Sequence, residues 1–137
     1  MRCERDLARA EVAAALAGDL QRPVIVVTAG EAEATRFAAD AAFFGARSAV
    51  CPVRDFTLHP TLGQSHEFEY RRIAVLGNIV GKRCNLLAVP LEAALQRTMP
   101  RAEFEANTLT LKEGDSLRQK DLIARLTAAG YHRRDRV

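Results

Sequence analysis

The chain has 137 residues, of which 48% are hydrophobic, 27% are charged and 6% are aromatic, with no Trp and a formal net charge of +3. That length suits one domain or one and a half, and a core built without Trp must draw on Ala, Leu and Val. The weak basic excess is compatible with nucleic acid without requiring it. No apolar run approaches the ~20 residues of a membrane helix.

Residues 5–20 repeat apolar side chains at helical spacing (Leu7, Ala10, Val12, Ala14, Leu16, Leu20), and their Ala richness favours a helix. Val24 to Val27 follow as an unbroken apolar run, the mark of a strand buried on both faces. After the turn Thr28–Gly30, residues 31–44 read as a helix. Glu31 and Glu33 sit in its first turn, where the helix dipole favours carboxylates, and Gly45 ends it. A short strand spans Ser48 to Cys51 and stops at Pro52.

The next helix spans about His66 to Val80, with Ser65 as its cap. Its apolar face holds Phe68, Ile73, Val75, Leu76, Ile79 and Val80, and Arg71, Arg72 and Asn78 fall largely on the other side. Asn85 to Val89 form a third continuously apolar strand. Pro90 then opens a helix where its missing N–H does no harm. Strand alternating with helix in this way predicts an α/β fold, a parallel sheet with flanking helices.

The polar stretch Thr98–Asn107 marks a boundary, giving a first domain at 1–106 and a second unit at 107–137. In the second unit, residues 108–111 alternate like a strand and the chain turns at Gly114–Asp115. Ser116 is placed to cap a helix over 117–129 that Gly130 closes, and "YHRRDRV" begins another strand. A strand, a helix and the start of a strand bury no core, so this unit reads as the beginning of a small truncated α+β domain, less stable than the sheet.

The search for chemistry is short. The nearest approach to a phosphate loop is "GNIVGKR", Gly77–Arg83, but it is one residue short, lacks the Ser or Thr that holds magnesium, and ends a helix where a phosphate loop opens one. It reads as a helix end, with Gly81 as the stop and Lys82 and Arg83 near the negative pole. The turn "TAGEAEA" is acidic and repels phosphate. "HEFEY", His66–Tyr70, lacks the second His of a zinc protease, and the adjacent Ser65 and His66 have the wrong geometry for nucleophile and base. The cysteines Cys3, Cys51 and Cys84 and the histidines His59, His66 and His132 show no metal-ligand spacing. Free, inert thiols and a reducing cytoplasm are expected.

No catalytic, cofactor-binding or metal-binding residue is therefore assigned, and no cofactor. The candidate contacts to phosphate or to a partner are Arg71, Arg72, Arg133, Arg134 and Arg136, with Lys82 and Arg83 as further cations. No aromatic side chain is interleaved with them, as a nucleic-acid stacking surface requires.

The order of the segments is more specific than any one of them. "RPVIVVTAGEAEATRFAADAAFFG", "PVRDFTLHPTLGQSHEFEYRRIAVL", "LLAVPLEAALQRTMP" and "TLTLKEGDSLRQKDLIARLTAAGYHRRDRV" together resemble the amino-terminal region of the bacterial transcription-repair coupling factors, from about Ala8 to Val137. The strongest matches are Pro90 with "LEAALQR", Pro100, and the series Leu111, Gly114, Leu117, Leu122, Leu126, Gly130, Tyr131 and Asp135.

The resemblance implies a partial RecA-like lobe of the kind found in the excision protein UvrB, without its phosphate loop, followed at about Asn107 by the start of an inserted domain that docks on UvrA. It implies a non-catalytic arm of a longer protein. In that protein a separate motor uses ATP and magnesium to move on duplex DNA, displaces stalled RNA polymerase at lesions and recruits UvrA for nucleotide excision repair. UvrA binding by this chain is expected to be weak or lost.

The alternatives are a piece of UvrB itself, or a small nucleotide- or phosphate-binding α/β enzyme. Against UvrB, the path from Pro52 to Ser65 is too short for that family's tyrosine-rich hairpin and carries a single aromatic residue, Phe56. Phe56 and Leu58 are expected to anchor this connection to the sheet.

Overall fold

The structure, a computed structural model, describes residues 2–54 and 67–132, with side chains from residue 4 onward. By internal contacts the chain divides into two compact units, Met1–Gln96 and Arg97–Val137.

The first unit is built on three parallel strands: β1 (Val24–Thr28), β2 (Ser48–Val50) and β3 (Leu86–Pro90), in the order β1-β3-β2. The register pairs Val24 with Leu86 and Val26 with Ala88 on one side, and Ser48 with Leu86 on the other. The first-made strands thus become the edges and the last-made strand fills the gap between them. Helices α1 (Arg2–Asp19), α2 (Glu31–Phe43), α3 (Glu67–Val80) and the single turn α4 (Leu91–Ala94) complete the unit.

A right-handed crossover from β1 to β2 and a return from β2 to β3 must lie on opposite faces of the sheet. The packing agrees. On the first face Ala10, Ala13, Ala14 and Ala17 of α1 and Ala34, Ala38 and Ala41 of α2 close on Leu86, Ala88, Val24, Val26 and Val50. So many alanines bring helix and sheet backbones close without bulky filler, which answers the lack of Trp. On the second face Val75 and Ile79 of α3 and Ala93 of α4 cover Leu87, Val89, Ala49 and Cys51.

Every residue of β3 is buried, as its unbroken apolar run predicts. The same expectation fails for β1. Val24 and Val26 are half-buried under α1 and α2, but Ile25 and Val27 are 64% and 58% exposed, because α3 and α4 cover the second face chiefly over β3 and β2. Strand composition records the capacity to be buried; the positions of the helices decide whether it happens.

The ends of the helices obey local rules with one substitution. Gly45 ends α2 with φ +90°: its N–H donates to Ala42 O and that of Ala46 to Ala41 O. At the end of α3 the same double bond is made by Lys82 to Ile79 O and Arg83 to Asn78 O. Here Lys82, with φ 55°, takes the left-handed position, and not the neighbouring Gly81 that the sequence suggested as the stop.

In the second unit, α5 (Arg101–Ala106) follows Pro100 and α6 (Gln119–Ala128) closes at Gly130. The division at 96/97 falls ahead of the boundary expected at 106/107, because the stretch taken as irregular holds α5. The strand expected at 108–111 is not formed. The Thr108 hydroxyl instead donates to Phe104 O at 2.7 Å, binding that residue back to the end of α5. Helix α6 begins at Gln119 with Arg118, not Ser116, in the cap position, and Arg118 pairs with Asp121 at 2.9 Å. No described residue of 97–132 is buried. Residues 55–66 and 133–137 lie outside the described residues. With them go the expected anchors Phe56 and Leu58, the Ser65 cap, and the last strand.

Two stability outcomes follow from this anatomy. In chemical denaturation Gly45→Ala should cost about 1–2 kcal/mol, the penalty of a side chain at left-handed φ, whereas Lys82→Gly should gain about 0.5–1 kcal/mol after the added freedom of the unfolded chain is deducted. In limited proteolysis, cuts within 97–132 should precede any cut within the sheet, since none of the described residues there is buried to resist local opening. Equal survival of both parts would count against this.

Candidate functional site

In a parallel α/β sheet the carboxyl ends of the strands are where side chains from different elements converge. In the first unit these ends are Thr28 on β1, Pro90 on β3, and Cys51 just past β2. Each is built differently.

At the end of β1 the turn closes on itself. The buried Thr28 hydroxyl donates to Gly30 O at 3.1 Å, and the Ala29 N–H donates to the Glu33 carboxylate at 3.0 Å. Gly30 occupies the N-cap position of α2 with extended backbone and no side-chain cap, and Glu31 and Glu33 fill the first turn. A phosphate at this position would need free N–H groups and a positive field. The Ala29 amide is instead satisfied by a carboxylate of the chain itself.

At the end of β2 a polar cluster lies between α3 and the segment after α4. The half-buried Arg72 guanidinium donates to Gln96 Oε1 at 3.2 Å, to Gln96 O at 3.4 Å, and to the Cys51 sulfur at 3.6 Å. Cys51 is itself fixed by its N–H, which donates to Ala88 O at 2.9 Å. Among the described residues the buried Gln96 Nε2 has no hydrogen-bond partner. Nearby, Arg54 approaches Glu69 at 3.7 Å, an exposed pair of little energetic weight.

The arrangement corrects the expected facing of Arg72. The residues of α3 that pack inward follow the spacing Phe68, Arg72, Val75, Ile79, so Arg72 is half-buried on the packed side and Ile73 is exposed. Arg72 cross-links α3 to β2 and to the end of the unit, which engages donors that a phosphate contact would need. Arg71 is exposed and forms an ion pair with Glu67 one turn earlier. Lys82 and Arg83 belong to the close of α3, and Arg83 Nε donates to Asn78 Oδ1 at 3.0 Å. The candidate residues Arg133, Arg134 and Arg136 lie outside the described residues. The structure thus does not gather Arg71 and Arg72 into one surface, and the Cys51–Arg72–Gln96 cluster is a grouping that sequence reasoning missed. Its one sequence signal is the i, i+4, i+7 step from Phe68 through Arg72 to Val75.

The thiols are tuned toward the neutral form. Burial pushes Cys51 up, partly offset by the Arg72 cation. Burial also pushes Cys84 up, partly offset by hydrogen bonding from the Leu86 backbone and by the charge of Arg47; the neutral thiol donates to Leu86 O at 3.0 Å. Among the described residues no three His, Cys, Asp or Glu side chains gather where a metal ion could be held, and no helix is long and apolar enough to cross a membrane.

Set against family models, curated proteins and solved structures, the chain matches none of them.

The raised thiols carry a pH signature. A folded chain that keeps these protons longer than the unfolded chain holds its full stability below the ordinary thiol range, and loses it as pH rises through the unfolded values toward the folded ones. Wild-type stability should therefore fall from about pH 8.5 upward more steeply than that of a Cys51→Ala/Cys84→Ala variant. Parallel profiles in alkaline denaturation titrations would show that the thiols carry no such linkage.

Proposed function

We propose that this chain is the non-catalytic, UvrB-like arm of a bacterial transcription-repair coupling factor (Mfd), with residues 1–106 as part of a RecA-like lobe and residues 107–137 as the beginning of the inserted domain that docks on UvrA. The observation that carries the reading is the order of the four sequence blocks, above all "LLAVP" running directly into "LEAALQR". Two structural features support it. The first is a parallel sheet with helices on both faces whose central strand runs straight into the Pro90-led turn α4. The second is the β1–α2 turn, where the Glu33 carboxylate holds the Ala29 amide and the acidic first turn of α2 disfavours a phosphate ligand.

In this reading the chain itself does no chemistry. ATP and magnesium belong to the motor of the full-length family, as do the contacts with duplex DNA and RNA polymerase, and the cellular setting is the cytoplasm. The partner of the chain itself is UvrA. Specific interfaces commonly bury ~800 Å² per partner around rigid anchors. Between residues 97 and 132 there is no buried side chain to hold such anchors still. Binding should accordingly be weak.

Isotope-labelled chain titrated with UvrA at moderate salt tests this. Expected is attenuation of amide signals confined to residues 107–137, with saturation only at high UvrA concentration. Attenuation confined to the sheet, or none at all, would remove UvrA as the partner. ATP turnover above a heat-inactivated control and lost in Lys82→Ala would favour the small nucleotide enzyme instead. Duplex DNA binding whose affinity falls steeply with salt would favour a stand-alone DNA-binding module.

A further inference from the structure

We infer that the amino end of the sheet is a binding surface for single-stranded nucleic acid, on which Arg47, Lys82 and Arg83 meet phosphates and Phe43 stacks on a base. This does not rest on the proposed function.

In a parallel sheet every strand is entered from the same end. The three connections that lead into β1, β2 and β3 therefore gather there, with the last turns of α1, α2 and α3. These connections, residues 20–23, 44–47 and 81–85, carry Arg22, Arg47, Lys82 and Arg83 and no acidic residue. The nearest acids along the chain are Asp19, which ends α1, and Asp40, which lines the groove between α1 and α2. All four cations are exposed, and none is in an ion pair among the described residues. The sequence scatters them; the topology collects them.

The common reason for cations at such a place is the negative end of a helix. Here the backbone already meets that demand. At α2 the N–H groups of Phe44, Gly45 and Ala46 donate to Asp40 O, Ala42 O and Ala41 O, and at α3 those of Lys82, Arg83 and Cys84 donate to Ile79 O and Asn78 O. The side-chain charges are left to solvent. Arg83 Nε donates to Asn78 Oδ1 at 3.0 Å, which leaves the two terminal nitrogens of its guanidinium for a phosphate.

Asn85 holds the surface rigid. Its Oδ1 accepts the Arg47 N–H at 2.7 Å, its N–H donates to Arg47 O at 3.0 Å, its Nδ2 donates to Ala17 O at 3.4 Å, and its O accepts the Val24 N–H at 2.9 Å. One residue thus ties the entries of β1 and β2 and the end of α1 to the entry of β3. Neighbouring entries are fixed one strand spacing apart, ~5 Å. The Arg47 charge accordingly acts on the Cys84 thiol, next to Arg83.

Cations alone would suit any polyanion, and the aromatic pair decides among them. Phe43 and Phe44 stand at the end of α2, where the connection to Arg47 begins. Phe43 is 84% exposed, and Phe44 braces it edge-on with ring centroids 5.4 Å apart. A protein partner anchors by seating side chains in pockets. An open, protruding ring is instead a platform for a flat base, and every base has a face to offer it. In a duplex the bases are stacked on one another and out of its reach, so the occupant is a single strand.

Fluorescence anisotropy of a labelled oligothymidylate of about ten nucleotides, titrated with the full chain, tests this. Expected is a dissociation constant on the order of 10 μM at low salt. It should weaken roughly twentyfold between about 50 and 200 mM salt, as three phosphate contacts to a single strand require. Phe43→Ala, a change at a surface ring, should weaken binding at least about fivefold with unchanged far-ultraviolet circular dichroism. Arg47→Ala should weaken it and reduce the salt dependence by about one contact; should that variant fail to fold, Phe43→Ala decides. No binding at ~100 μM chain overturns the inference. So does a duplex bound as tightly as the single strand, or Phe43→Ala binding unchanged. Polyglutamate that displaces the label as well as unlabelled oligothymidylate does would assign the surface to an acidic protein and overturn it too.

Discussion

Everything in the first unit depends on burying β3. It is the strand of this sheet that is buried at every one of its residues, Leu86–Pro90, with β1 and β2 hydrogen-bonded to its two sides and helices above and below. A strand in that position must be apolar at every residue, because both of its side-chain rows meet core. It is also the last strand to leave the chain order, so the sheet is complete only when residues separated by some sixty positions in sequence, such as Val24 and Leu86, have met. The alanine-rich packing of α1 and α2 is the complement of this constraint. Small side chains let both helices approach one narrow sheet.

The polar features are arranged around that strand and not spread over an open site. The Arg72 guanidinium spans from Cys51, at the end of β2, to Gln96, at the end of the unit, and ties the second-face helix to the sheet by hydrogen bonds at 3.2–3.6 Å. The Thr28 turn satisfies its own donors through Gly30 O and Glu33. Both groups are closed networks, whose partners are chain atoms, and both suit a scaffold better than a binding cleft. The buried, unpaired Gln96 Nε2 is the exception. Its amide oxygen is held toward Arg72, so its nitrogen must point the other way, where no described residue offers it an acceptor.

The described residues of the second unit show what happens without such a strand. Residues 97–132 form two helices and the turns between them, held by local bonds such as Arg101–Glu105, Lys112 N–H to Asp115, and Arg118–Asp121. Local bonds of this kind shape a chain but contribute little against its entropy. The alternation at 108–111 has strand character in sequence, yet a strand exists only when another pairs with it, and here the nearest acceptor for Thr108 is the end of its own helix.

The sequence by itself determined the order of elements in the first unit, the parallel character of the sheet, and the near-complete burial of β3. These follow from the spacing of apolar residues and from helix-end chemistry, both of which are local. It also marked the acidic β1–α2 turn and the helix-ending nature of Gly77–Arg83, although which residue takes the left-handed position, Lys82 and not Gly81, depended on how the last turn closed. Only the tertiary structure decided that Arg72 packs inward while Ile73 faces water, that Cys51 and Gln96 become its partners, and that Ile25 and Val27 stay uncovered. Those outcomes turn on which helix lies over which strand. That is a property of long-range contacts, and two strands that both read as unbroken apolar runs, β1 and β3, end up with different burial because one stands at the edge and the other at the centre.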